Sequence, residues 1–151
     1  MPEDIFGGLW AKVRELIEDD LFCCTTEIFE EYEHIEGAVG KCLCNHKSSI
    51  LFEIGDDDWE WDKYVLHVNR MRDTYKQFIS EYNSNRKNTV GINDLSIVAL
   101  AKTLKLPVVS MEGLDRGQIS ASRMRIPRLC DLENVVHLTF NELLRQEGIN
   151  I

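Results

Sequence analysis

Residues 91–113 read GINDLSIVALAKTLKLPVVSMEG, a turn, a helix and a short apolar strand with an acid at each end of the unit. Asn93 is placed as the N-cap, because its side-chain oxygen can accept from the free N–H groups of the first turn. Asp94 then falls in that turn, where the helix dipole favours a carboxylate. Val98, Ala99 and Ala101 make a small apolar face that lets the helix lie close to a sheet. Leu106, Pro107, Val108 and Val109 form an apolar run, predicted to be a strand buried on both faces. Glu112 comes just past its end. Ligands of open α/β sheets bind beyond the carboxyl ends of the strands, so Asp94 and Glu112 are candidates to face one spot. The plainer reading stands beside it: Asp94 helps cap its helix and Glu112 is a solvated loop acid.

Upstream, Ile5, Phe6, Leu9, Trp10, Val13, Leu16 and Ile17 recur at helical spacing, and Leu21 to Cys24 reads as a short apolar strand. Thr25 or Thr26 caps a second predicted helix bearing Ile28, Phe29, Tyr32 and Ile35, stopped at Gly37. Glu31 lies three residues from Ile28 and so borders the buried face. The pattern weakens over 38–55, where loop or small helices are expected. Asp56, Asp57 and Asp58 look like the acidic start of a long helix whose stripe runs from Trp61 through Tyr64, Val68, Met71 and Tyr75 to Tyr82. Residues 83–88 are a polar connector. Beyond the central unit, Val135 to Leu138 is a last short strand, and Thr139 with Glu142 forms a capping box for the closing helix. Helices alternating with short strands point to one α/β domain over 1–151, with a mainly parallel central sheet flanked by helices.

A length of 151 residues suits one core, and 44% hydrophobic with 28% charged residues is a globular balance. No apolar run reaches membrane-spanning length, and the N-terminus carries acids where a secretory signal carries bases. Five cysteines without such a signal argue for reduced thiols, so a cytoplasmic protein is expected. A net charge of −9 opposes non-specific binding to nucleic acid by the bare chain. It is compatible with acids gathered to hold divalent cations.

Four segments carry a resemblance: PEDIFGGLWAKVRELIEDD, TTEIFEEYEH, NDLSIVALAKTLKLPVVSMEG and RIPRLCDLENVVHLTFNELLRQEGI. In this order they resemble a PIN-like domain, the nuclease fold of VapC-type toxins, and within it an uncharacterised PIN-like family of bacterial toxin–antitoxin loci. The resemblance implies carboxylates gathered at the end of a parallel sheet to hold Mg²⁺ or Mn²⁺, which activates water to cut RNA. By it, Glu31, Asp94 and Glu112 are the metal-binding and catalytic acids, with Ser110 and Asn93 beside them. It also implies an RNA substrate, an antitoxin partner and a role as toxin. The family opens with a strand bearing Asp-Thr-Asn, whose aspartate is the first metal ligand; this chain starts at the helix that would follow. The first strand is therefore expected to be missing, through a trimmed or misassigned start or through degeneration. Without it, strand 21–24 loses a neighbour, and exposed strand edges favour a homodimer or a rearranged sheet. Two functions stay open: a metal-dependent endoribonuclease, and a catalytically inactive module that acts by binding a protein partner.

Arg116, Arg123, Arg125 and Arg128 cluster just after Glu112, opposed by Asp115. They read as RNA phosphate contacts or as an ordinary solvated loop. Cys42, Cys44 and His46 form C-x-C-x-H, for which zinc and scattered thiols are both considered; the spacing lacks the usual C-x₂-C pairs and favours thiols. His34, His67 and His137 show no partner spacing, and no serine-hydrolase, Walker or dinucleotide motif occurs.

Overall fold

The computed structural model describes residues 3–113 and 123–149. In chain order come α1 (Gly7–Glu18), α2 (Thr26–Tyr32), α3 (Gly37–Asn45), α4 (Lys47–Ile50) and α5 (Trp61–Thr74). Two 3₁₀ turns follow at Lys76–Phe78 and Ser80–Tyr82. Then come α6 (Ile92–Leu104), β1 (Val108–Ser110), α7 (Ile126–Glu133), β2 (His137–Thr139) and α8 (Phe140–Gln146). The fold is mixed α/β, and its sheet among the described residues is small. β1 pairs in parallel with β2, Val108 opposite His137 and Ser110 opposite Thr139.

The central unit forms as its residues direct. Leu95, Val98, Ala99 and Leu100 of α6 are buried, and the small side chains let α5 pack along this helix in the most extensive contact between elements among the described residues. Lys105, left-handed at φ 58°, ends α6, and Pro107 prevents its resumption. α7 opens with Pro127 in its first turn and closes on Asn134 at φ 55°. α8 starts on the expected capping box: Thr139 Oγ1 accepts the Glu142 N–H at 3.3 Å, and Glu142 Oε2 accepts the Thr139 N–H at 2.7 Å.

Side chains of α5, α6, β1 and α7 build the larger core, around Met71, Ile79, Leu95, Val98 and Leu129. A second, around Ile17, Cys24, Phe29, Leu43 and Ile50, joins α1 to α4. Ile97 of α6 packs against both. At the α2–α3 corner, Glu3 caps α3 from a distance, its carboxylate accepting from Ala38 N at 3.2 Å and Val39 N at 3.1 Å.

Several expectations are corrected. Asn93 does not cap α6; Gly91 holds that place, and its N–H donates to Asp94 Oδ2 at 2.9 Å. β1 is not buried on both faces: Val108 is buried while Val109 and Leu106 are exposed, because a sheet this small has little to cover its second face. The second helix stops at Tyr32, and Gly37 instead starts α3. Asp56 to Asp58 precede α5 without belonging to it, and α5 ends at Thr74, short of Tyr82, which is exposed. The expected strand at 21–24 shrinks to one parallel bridge, yet it does have a neighbour. Cys24 N–H donates to Ile50 O at 3.0 Å, and Phe52 N–H donates to Cys24 O at 3.1 Å. None of the described helices is long and apolar enough to cross a membrane.

Candidate functional site

The three predicted acids arrive from three elements. Glu31 stands in the last turn of α2, Asp94 in the first turn of α6, and Glu112 two residues past β1. Asn93 ties the first two together, its Nδ2 donating to Glu31 Oε1 at 3.4 Å. A fourth acid joins them. Phe78 and Ser80 bond to Val90, which folds the 3₁₀ turns back against the start of α6. Glu81 there accepts the Ile92 N–H at 3.1 Å and 3.2 Å on its two oxygens.

Asp94 registers the company it keeps. Burial pushes its carboxyl above the ordinary range; the Gly91 N–H works against this, and the negative charges of Glu112, Glu31 and Glu81 add to the rise. Asp94 thus caps its helix and also shares an acidic neighbourhood with Glu31 and Glu112, so the two readings of it are not exclusive.

Glu112 is held differently. Arg125 Nη1 donates to its Oε1 at 3.1 Å and the Ile126 N–H to its Oε2 at 2.9 Å. Its own N–H donates to Ser110 Oγ at 3.1 Å, and Ser110 Oγ lies 2.9 Å from His137 Nε2. His137 therefore has a partner that its sequence spacing does not reveal, since the parallel ladder alone sets the two strands side by side. Burial holds the imidazole below its ordinary value, with Glu142, Glu112 and Asp131 opposing. An open cleft of about 740 Å³ lies beside it, lined by Gly113, Asp131, Asn134, His137, Thr139 and Glu142 among others.

Arg125 also donates to Asn88 Oδ1 at 3.1 Å, and Arg128 Nη1 donates to the Arg123 carbonyl. Arg116 and Asp115 lie outside the described residues. For the cysteines, α3 sets Cys42 and His46 on one side, Sγ to Nδ1 at 3.8 Å, with Glu18 Oε1 4.0 Å from the same sulfur. Cys44 points elsewhere and is exposed, because residues two apart on a helix do not share a face.

Among the described residues, no three His, Cys, Asp or Glu side chains are grouped so as to hold a metal ion. The donor chemistry of Glu31, Asp94 and Glu112 suits a hard divalent cation, which prefers several carboxylate oxygens. Their arrangement engages Glu112 with Arg125 and α7 instead. No curated protein and no solved structure matches the chain. A family model does match, over residues 2–151, and it is described as a domain of unknown function, DUF4411. The chain belongs to that family.

Proposed function

We propose that this protein is a metal-dependent endoribonuclease of PIN-like fold, acting as the toxin of a toxin–antitoxin pair. The observation that carries this reading is that Asp94, raised first by burial, also feels the charges of Glu112 and Glu31, acids 18 positions after and 63 before it in the sequence. Like charges brought together from separate elements cost stability, and a cation relieves that cost. Glu31, Asp94 and Glu112 are the residues to hold Mg²⁺ or Mn²⁺. When bound, such an ion lowers the pKa of water and offsets charge developing on phosphate. Asn93 orients Glu31, Ser110 fixes the backbone at Glu112, and Arg123, Arg125 and Arg128 supply donors for the RNA backbone. RNA cleavage that requires Mn²⁺ and falls at least about 100-fold in Asp94→Asn is the expected result. Cleavage indifferent to chelator, or to that substitution, refutes the reading. The partners that go with it are an antitoxin protein and a second copy of the chain; a sedimentation profile that stays monomeric at all concentrations removes the homodimer.

A second reading is favoured by one observation. Both oxygens of Glu112 are already bonded within the chain, which suits an inactive PIN-like module that works by binding a protein. Unaltered partner binding by a chain with Asp94→Asn and Glu31→Gln, together with no cleavage by the wild type, selects this alternative.

A further inference from the structure

Ser110 and His137 stand on neighbouring strands and touch. Ser110 Oγ lies 2.9 Å from His137 Nε2, within the distance at which an imidazole takes a proton from a hydroxyl. The parallel register sets Ser110 opposite Thr139, so Ser110, His137 and Thr139 project to one face of the sheet. His137 and Thr139 both line the open cleft of about 740 Å³, a size suited to a small organic molecule. Ser110 and His137 are half-buried, so neither is sealed from that cleft. The hydroxyl is also oriented. Its oxygen accepts the Glu112 N–H at 3.1 Å, which leaves its single proton for Nε2. Burial keeps the His137 ring neutral and able to accept, while the charges of Glu142, Glu112 and Asp131 favour the imidazolium once it forms.

We propose that Ser110 is a nucleophile, with His137 as its general base, in the hydrolysis of an uncharged or cationic carboxylic ester. The cleft decides the substrate class. Among the described residues its other ionisable side chains are Asp131 and Glu142, which repel phosphate esters and acyl chains that end in a carboxylate. Ser110 Oγ bonds to the carbonyl carbon as its proton passes to Nε2. The bond to the alcohol oxygen then breaks, and the alcohol leaves with that proton. Water attacks the acyl-Ser110 carbonyl and gives a proton to Nε2; the acid departs as Oγ takes that proton back. The Glu112 N–H, aimed at Oγ, offsets the charge this oxygen gains during the transfer.

The test uses the full chain in EDTA, which separates this reaction from the cation-dependent cleavage proposed above. Diisopropyl fluorophosphate is expected to add one diisopropylphosphoryl group per chain, located on Ser110 by peptide mass mapping. Ser110→Ala should take up none, and His137→Gln should react at least about 100-fold more slowly. Ser49→Ala, which removes an exposed hydroxyl of α4, should match wild type. Hydrolysis of p-nitrophenyl acetate should rank the four proteins in the same order. Among p-nitrophenyl esters at low salt, an acyl chain ending in trimethylammonium should react at least about fivefold faster than one ending in carboxylate. An unlabelled wild type overturns the proposal, so a variant that fails to fold does not shelter it. Labelling at another residue overturns it too, as does wild-type reactivity in a folded His137→Gln protein. A carboxylate ester that reacts as fast as the ammonium ester overturns the substrate class.

Discussion

Arg70 of α5 grips Glu133 at the end of α7, its Nη1 donating to Oε1 at 3.0 Å across 63 residues of sequence. Glu133 is 3% exposed, so this is a carboxylate taken out of water. The Tyr75 hydroxyl donates to the same oxygen at 2.7 Å, and Lys102 Nζ stands 3.3 Å from the other. A buried charge is tolerated only when paired and hydrogen-bonded, and this one is both. The contact joins the α5, α6 and α7 sides of the larger core, with Lys102 in the last turn of α6 and Asp94 in its first.

A pH dependence follows from that pairing. Burial pushes the Glu133 carboxyl up, but Arg70, Tyr75 and Lys102 overcome it and hold it at about 2, against an ordinary 4.5. A depressed carboxyl stabilises the fold above its unfolded value and loses that contribution as pH falls toward its folded one. Urea unfolding is expected to show a loss of up to about 3 kcal/mol between roughly pH 4.5 and pH 2. This component should be absent from Glu133→Gln. At pH 7, Arg70→Met should cost about 3 kcal/mol, at the low end for a broken buried pair because Lys102 and Tyr75 remain.

Asp94 carries the opposite sign. Its carboxyl is raised by burial and by neighbouring acids, so its ionised form is the costly one. The cost appears as pH rises from the unfolded value through the folded one. Asp94→Asn keeps an oxygen to accept the Gly91 N–H. It is therefore expected to melt at a higher temperature than wild type at pH 7 without divalent ions. The gap should close as pH is lowered below about 4, where unfolded-chain Asp is itself protonated. Saturating Mg²⁺ should close it at neutral pH by stabilising wild type alone. A variant that melts lower than wild type at neutral pH counts against this account.

Gly40 is fixed by close approach. A Cβ built there lies 1.8 Å from the Ile35 carbonyl oxygen, which is backbone and cannot swing aside. Gly40→Ala is expected to cost about 3 kcal/mol or more by denaturant unfolding. Gly8, inside α1, has nothing within 4 Å of its own Cβ position. There, Gly8→Ala should stabilise by roughly 0.5–1 kcal/mol.

Thr139 gives a simpler expectation. Its hydroxyl accepts from Glu142 N while Glu142 reaches back to the Thr139 N–H. Thr139→Ala should cost about 1 kcal/mol, and thermal melts at neutral pH are enough to measure it.

Thr139 and Glu142 also show what was legible in the sequence. A capping box is local, and so are the face of α6 and the acid in its first turn. Each is settled by residues within a few positions of one another. The N-cap of α6 is not legible because Asn93 looks the better cap by type, while Asp94 reaching back to Gly91 moves the helix start two residues earlier. Strand extent was overestimated. An apolar run such as Leu106 to Val109 reads the same whether one face or two are covered, and only the number of neighbouring strands decides which. At the site, Glu31, Asp94 and Glu112 were identified as candidates, but their partners were not. Glu81 reaches Ile92 through irregular turns without periodicity, and His137 meets Ser110 through strand register. Arg125 was singled out as a basic residue for phosphate, with no local pattern to say that it is bonded to Glu112.

The shared contact of Ile97 has a consequence for how the molecule comes apart. The packing around Phe29 and the packing around Leu95 meet chiefly along one flank of a helix, so the α1–α4 layer can detach while the remainder stays shut. Amide exchange should then divide into two cooperative blocks of unequal protection, the amino-terminal one opening first. Shortening Ile97 to alanine should widen the interval between them.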